Sequence, residues 1–297
     1  MTQALTLICN PQNPQLDDVI CREISNQCGG NDIKWLNPGI ACDISLSNVG
    51  NGPTVRKTAS DILAGKPVDI IIQSAENRRK KILIADMDST IIAQECIDEL
   101  AMETGNGAKV AAITERAMNG EIDFSDALRE RVALMAGLSE NVIKKVLADC
   151  VTINPGAKEL VSTLRTHGAF CALVSGGFTA FSREIAAAVG FNETHANELI
   201  ITDGVLTGKV HEPVLGKEAK VERLDEFCAR LSLTRDDAMS VGDGANDLPM
   251  LKSAGSGIAY HAKPAVAAQC ENHIEHGDLT ALLYAQGYHI DEFSSGL

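Results

Sequence analysis

Two carboxylates spaced i, i+2, Asp86 and Asp88, follow directly on the apolar run Ile82-Leu83-Ile84-Ala85. Four apolar residues in a row read as a buried strand. In a regular strand, residues two apart share a face. Carboxylates where a buried parallel strand ends lie at the sheet edge where ligands bind. Such a pair suits metal binding or attack on an electrophile, and it equally suits a plain turn or helix cap. A second apolar stretch, Cys171-Ala172-Leu173-Val174, opens into Ser175-Gly176-Gly177. Backbone N–H groups and a hydroxyl there suit a phosphate, or simply make a βα turn. Lys217 and Lys220 fall in the helix-like LGKEAKVERLDEF, where a lysine is ordinarily a solvated face residue. A third strand-like run, Ala238-Met239-Ser240-Val241, leads into Gly242-Asp243-Gly244-Ala245-Asn246-Asp247.

The elements that must position these groups are legible from periodicity. Residues 4–9 read as a strand and 15–27 as a helix, with Leu16, Val19, Ile20 and Ile24 at helical spacing. Short strands at 32–36 and 41–46 flank Pro38-Gly39. A turn at 50–53 leads to a helix over about 54–64, and 68–72 is a further strand. The order βαββαβ suggests a small α+β ferredoxin-like domain over residues 1–77. Residues 76–81, ENRRKK, read as a solvated basic link. The remainder, 78–297, alternates α and β except over about 94–153. That stretch is helical by pattern, with breaks at Gly105–Gly107, Asn119-Gly120 and Gly137. Helices are expected at 156–167, 179–190, 216–231 and 246–253. Strands are expected at 169–174, about 198–202, 238–241 and 257–260, with a hairpin turn at Asp203-Gly204. This is an α/β chain: a doubly wound parallel sheet with an inserted helical cap.

Hydrophobic residues make up 45% of the 297 residues, enough for a sizeable core. A formal net charge of −14 argues against broad binding to nucleic acid or anionic membrane, but a local site can still hold a phosphorylated small molecule. No apolar run is long enough to span a bilayer, and the N-terminus lacks a signal-peptide pattern. Nine cysteines without CxxC spacing read as reduced thiols of a cytoplasmic protein. Cys96 is close to the first motif and is given only a packing role. The seven histidines form no ligand-spaced pair.

The ordered set strand-DxDST, strand-SGG, lysine, strand-GDGxND resembles the haloacid dehalogenase-like phosphohydrolases. With Gln94-Glu95-Cys96-Ile97-Asp98-Glu99-Leu100, VSGGF, ANELIITDGVLTG and VGDGANDLPML it resembles their phosphoserine phosphatase members, over residues 78–290. The resemblance implies Mg²⁺-dependent hydrolysis of O-phosphoserine, as the last step of serine biosynthesis. It implies Asp86 as nucleophile and Asp88 as general acid and base. It implies Asp86, the Asp88 main-chain carbonyl and Asp243 as metal ligands, with Asp247 acting directly or through water. Ser175, Gly176 and Asn246 would hold the phosphate. Lys220, rather than Lys217, would neutralise it. Glu95 would meet the substrate ammonium and Arg131 its carboxylate, with Met118 and Phe124 closing over them. A related phosphatase or phosphotransferase, or a binding protein that kept the fold, are the alternatives. The N-terminal order resembles an ACT regulatory module, but Asn10-Pro11-Gln12-Asn13-Pro14 stands where such modules carry a glycine-bearing turn. Packing or homodimer formation suits it at least as well.

Overall fold

The structure, a computed structural model, describes residues 2–46, 52–118 and 121–294, the side chain of Met118 excepted. Strand β1 (Gln3–Cys9), helix α1 (Asp18–Cys28), strands β2 (Gly30–Asn37) and β3 (Ala41–Leu46), helix α2 (Gly52–Leu63) and strand β4 (Val68–Ser74) follow the expected βαββαβ order. Part of the turn at 50–53, like the helix break at 119–120, lies outside the described residues. Asp17 caps α1 by accepting the Ile20 N–H at 2.9 Å. The strands form an antiparallel sheet in the order β2-β3-β1-β4. Period-two alternation gives β1 two apolar faces. Leu5, Leu7 and Cys9 pack with Ile24, Val55 and Leu63 of α1 and α2. Ile8 packs the other way, with Leu36, Ala41 and Ile71, into the core of the rest of the chain.

That second buried face corrects the reading of residues 76–81 as a solvated link at Arg78, while Glu76, Asn77, Arg79 and Lys81 are exposed. Arg78 pairs with Asp43 at 2.7 Å, with both side chains only 12% exposed. Its Nη2 also donates to Thr6 Oγ1 and the Ala285 carbonyl. Arg79 lies 4.0 Å from the centre of the Tyr288 ring and pairs with Glu292. A carboxylate enclosed on the inner face of a sheet needs a cation beside it. The charge run supplies that cation, because the link crosses the seam between the two sheets.

The rest of the chain begins with β5 (Ile82–Ala85). Four helices follow: α3 (Cys96–Glu103), α4 (Gly107–Met118), α5 (Phe124–Ala133) and α6 (Asn141–Asp149). Then come α7 (Ala157–Thr166), β6 (Phe170–Phe178), α8 (Thr179–Val189), β7 (Glu193–Asn197), β8 (Leu199–Thr202), β9 (Val205–Val210), α9 (Lys217–Leu231) and β10 (Ala238–Gly242). The chain closes with α10 (Leu248–Ser253), β11 (Ser256–Tyr260), α11 (Pro264–Ala267), β12 (Asn272–Ile274) and α12 (Ala281–Ala285). The main sheet has the order β12-β11-β10-β5-β6-β7, every pairing parallel. Strand order reverses at β5 and β10, and a crevice opens beyond the carboxyl ends of strands at such a point. Asp86 and Asp243 each follow one of these two strands.

Two further expectations needed correction. The strand expected at about 198–202 is β8, which leaves the main sheet and pairs with β9. The true edge strand is β7, Glu-Thr-His-Ala-Asn, whose mostly half-buried polar residues show no apolar alternation. The β8–β9 hairpin instead docks on the cap, where the Gly137 N–H donates to the Leu206 carbonyl and the Leu206 N–H to Leu138. The last expected helix starts at Leu248 rather than 246. Among the described residues, no helix is long and apolar enough to cross a membrane.

Candidate active site

β5 ends at Ala85, and the chain turns sharply through Asp86–Thr90. The Thr90, Ile91 and Ile92 N–H groups all return to the Met87 carbonyl, and Ser89 adopts φ +54° to allow it. This turn parts Asp86 and Asp88. Asp86 is 5% exposed and faces Lys220 of α9, while Asp88 faces Ser175 of β6 and Cys96 of the cap. Asp86 Oδ1 accepts the Met87 N–H at 2.8 Å and pairs with Lys220 Nζ at 2.8 Å. Among the described residues, its Oδ2 accepts nothing. Asp88 Oδ1 accepts the Cys96 N–H at 2.9 Å, at the start of α3, and Oδ2 takes the Ser175 hydroxyl at 3.3 Å. The next helix therefore orients the second carboxylate.

Lys220, 1% exposed, lies between Asp86 and Asp247, the latter at 2.6 Å. Desolvation works against its charge, but the two carboxylates outweigh that and hold its pKa above the ordinary lysine value. Lys217 is exposed and, among the described residues, pairs with Glu218 at 3.6 Å. Of the two candidates, the structure brings Lys220 to the site. Asp247 spends both oxygens on organisation: Oδ1 on Lys220, and Oδ2 on the Asp243 and Gly244 N–H groups at 3.2 and 3.0 Å. Asp243 Oδ1 accepts the Thr90 hydroxyl at 3.0 Å, which ties the β10 turn to the β5 turn. Asn246 lies half-buried on that turn, with its amide oxygen against Gly244.

Asp86, Asp243 and Asp247 bring carboxylate oxygens within 4.8 Å of one another. One contacting lysine leaves this group two negative charges in excess. Burial first, and then the Asp247 charge, push Asp86 well above the usual carboxylate range. The same causes push Asp243 up to about 6, against the Thr90 hydrogen bond. Crowded oxygen donors with unmet negative charge fit a hard divalent cation. Asp88 is also raised, chiefly by burial, and its bonds from Cys96 and Ser175 oppose the shift.

The remaining candidates gather on the Asp88 side of the site. The Ser175 hydroxyl accepts the Gly177 N–H at 2.8 Å, which tightens the turn after β6. Phe124, at the start of α5, covers that turn so closely that a β-carbon on Gly176 would lie 2.9 Å from its ring. Glu95 is solvent-reachable and takes the Ser89 hydroxyl at 2.6 Å. Its pKa is pushed up to about 7 by desolvation and then by Asp88. Arg131 is half-buried, with Nε bonded to the Ala127 carbonyl at 3.2 Å. Burial lowers its pKa, while the Asp98 and Glu95 charges support its protonated form. Met118 ends α4, and its side chain lies outside the described residues.

Sequence reasoning missed three supports. Asn197, 3% exposed, donates to the Gly176 and Leu215 carbonyls and accepts the Leu215 N–H at 2.7 Å. It binds the Ser175 turn to the segment that leads to Lys220. An asparagine where a strand meets a hairpin was the available signal. Thr90 and the Cys96 N–H are the other two, and only the folded turn reveals them.

The comparisons with known proteins agree with this geometry. The family model described as haloacid dehalogenase-like hydrolase matches residues 83–252. The chain belongs to the haloacid dehalogenase-like hydrolase family. Phosphoserine phosphatase of Streptococcus thermophilus is 46% identical over 200 residues, covering 67% of this chain and 93% of that one. A HAD family hydrolase from Salmonella enterica subsp. enterica serovar Typhi superposes with a TM-score of 0.85 at 28% identity, over 98% of this chain and 99% of its own. A phosphoserine phosphatase captured as a phospho-aspartyl intermediate analogue gives a TM-score of 0.64 at 38% identity, over 69% of this chain and 98% of its own. The protein is an enzyme, a phosphatase with a doubly wound sheet and an inserted cap.

Proposed function

We propose that this phosphatase hydrolyses O-phosphoserine to serine and phosphate, with Mg²⁺ as its metal. The feature that carries the substrate is the presence, on the Asp88 side of the site, of both Glu95 and Arg131, near enough for the Glu95 charge to act on the guanidinium. One suits an ammonium and the other a carboxylate, and a guanidinium can grip a carboxylate through two donors. The relatives named phosphoserine phosphatase support the same reading.

Asp86, Asp243 and the Asp88 main-chain carbonyl would hold the metal, with Asp247 behind them or bound through water. A bound divalent cation supplies charge neutralisation that lets an anionic carboxylate approach an anionic phosphate. Asp86 then attacks phosphorus, and its oxygen–phosphorus bond forms as the bond to the serine oxygen breaks. Asp88 gives its proton to that oxygen, and a carboxyl held raised by burial is suited to carry one. Water next attacks the phosphorus of the aspartyl-phosphate. Asp88 takes the water's proton, and Asp86 is released as a carboxylate. Ser175, the Gly176 N–H, Lys220 and Asn246 hold the phosphoryl oxygens, and Phe124 and Met118 close the cleft. Residues 1–77 form a ferredoxin-like unit, and 78–297 the catalytic unit with its cap at about 94–153. The reaction serves serine biosynthesis in the cytoplasm, a setting that suits nine free cysteines.

Rapid quench with labelled phosphoserine tests the scheme. Phosphate bound to protein should be stable to acid, labile to base and absent from Asp86→Asn. Label on a serine or histidine overturns the nucleophile. A substrate panel in which phosphoserine is not preferred overturns the substrate.

A further inference from the structure

We propose that Asp69, on β4 of the N-terminal sheet, is a positioning residue for the cap, acting through the loop at 275–280. Asp69 is 4% exposed and belongs to none of the active-site motifs. Its carboxylate gathers three consecutive backbone N–H groups. Oδ1 accepts from Glu275 at 2.8 Å and His276 at 3.1 Å, and Oδ2 accepts from Gly277 at 2.7 Å. A buried carboxylate satisfied by three main-chain donors fixes the loop that supplies them. Asn10, from the turn after β1, donates to the His276 carbonyl at 3.1 Å, so two elements of the N-terminal sheet hold one loop.

The far end of that loop meets the cap's return connection. The Leu279 N–H donates to the Pro155 carbonyl at 3.1 Å. Gly156, at φ +81°, lies so near that a β-carbon there would be 2.6 Å from the Thr280 nitrogen and 3.1 Å from Asp278 Oδ1. Pro155 and Gly156 belong to the second of two strands of chain that carry the cap. The two are stitched together by the Ile92–Ile153 bridge, by Ala93 N–H to the Thr152 carbonyl at 3.0 Å and by Asn154 N–H to the Ile91 carbonyl at 2.9 Å. Asn154 Nδ2 also reaches the Thr90 carbonyl at 2.8 Å, and Thr90 bonds Asp243. The hinge is not packed on every side. It borders a cavity of about 730 Å³ that reaches Pro11, in the turn after β1, and Asn37, at the end of β2. The 275–280 loop is therefore a contact through which the N-terminal sheet sets the hinge, and with it the placement of Glu95, Phe124 and Arg131.

The inference rests on the phosphoserine reading, and its test separates the two. The full-length enzyme with Mg²⁺ is compared with Asp69→Asn and Asn10→Ala by kinetics and by amide hydrogen exchange. An amide at 69 presents an N–H₂ to donors that need an acceptor. Asn10→Ala is the milder cut and keeps the test alive if the first variant folds poorly. Small misplacement of binding groups costs one to two powers of ten. We expect kcat/KM for phosphoserine to fall ~10-fold in Asp69→Asn, and less in Asn10→Ala. Turnover of p-nitrophenyl phosphate, which has neither ammonium nor carboxylate, should fall clearly less, since of the groups placed by the cap it relies on the Cys96 bond to Asp88 but not on Glu95 or Arg131. Exchange should speed up at 151–154, 156 and 279. Equal losses on both esters, unchanged phosphoserine kinetics, or a kinetic loss without faster exchange at the hinge each overturn the proposal. Wild-type enzyme inactive on phosphoserine sinks the substrate reading instead, and the exchange result still decides the relay.

Discussion

Removing one metal-site carboxylate should stabilise the metal-free protein. Asp243 has an ordinary pKa of 3.8 and is pushed up to about 6, first by burial and then by Asp247. A group whose folded pKa is raised contributes stability that is complete below its unfolded pKa and lost as pH rises through the folded one. A shift of about two units is worth ~3 kcal/mol, or ~2–3 kcal/mol after discounting for partial solvent access. Roughly half of that loss has accrued by pH 5, and nearly all by pH 8. Asp243→Asn keeps an acceptor for the Thr90 hydroxyl and has no charge to suffer this loss. In EDTA at pH 8 it should therefore be more stable than wild type by about 2–3 kcal/mol, with the gap narrowing by about half at pH 5. Mg²⁺ at 100 times its Kd should close this gap, because it adds ~2.7 kcal/mol to the protein that binds it. Urea unfolding at the two pH values, with and without metal, measures all four numbers. A variant less stable than wild type at pH 8 in EDTA, or a gap that ignores pH, would refute the claim that the cluster is held together against its own charge.

Arg131→Ala should lower kcat/KM for phosphoserine roughly 10- to 150-fold, the ~1.5–3 kcal/mol of a charge-assisted contact, and p-nitrophenyl phosphate turnover much less. An equal fall on both esters would move Arg131 from substrate recognition to the phosphate site or the cap fold. Because the Glu95 carboxyl is pushed up to about 7, its charge is complete only above that pH. The wild-type to Glu95→Gln ratio of kcat/KM for phosphoserine should then grow as pH rises through neutrality, and a flat ratio would remove Glu95 from ammonium binding. Arg78→Ala strands the Asp43 carboxylate at the seam between the sheets and should cost ~3–5 kcal/mol of stability, measured by denaturant unfolding. A loss under 1 kcal/mol would show that solvent already screens the pair.

What the sequence by itself determined was local. Period-two and helical patterning placed β1 to β4, the helical cap and the strands that end in chemistry, because burial on one face writes itself into spacing. The acids, the glycine turn and the lysine were legible as types in order, since the reaction read from them needs those groups. Tertiary structure decided which of them meet. Lys217 and Lys220 look alike along the chain, and only the docking of α9 buries one between Asp86 and Asp247. Asp86 and Asp88 read as neighbours on one strand face, but the chain leaves the strand after Ala85, so they point to different partners. β7 was hidden because a half-exposed edge strand needs no apolar alternation. Arg78 looked solvated because the partner that buries it, Asp43, belongs to the inner face of another sheet. Pattern records what an element buries along its own length, whereas the burial of a charge depends on a surface encoded elsewhere in the chain.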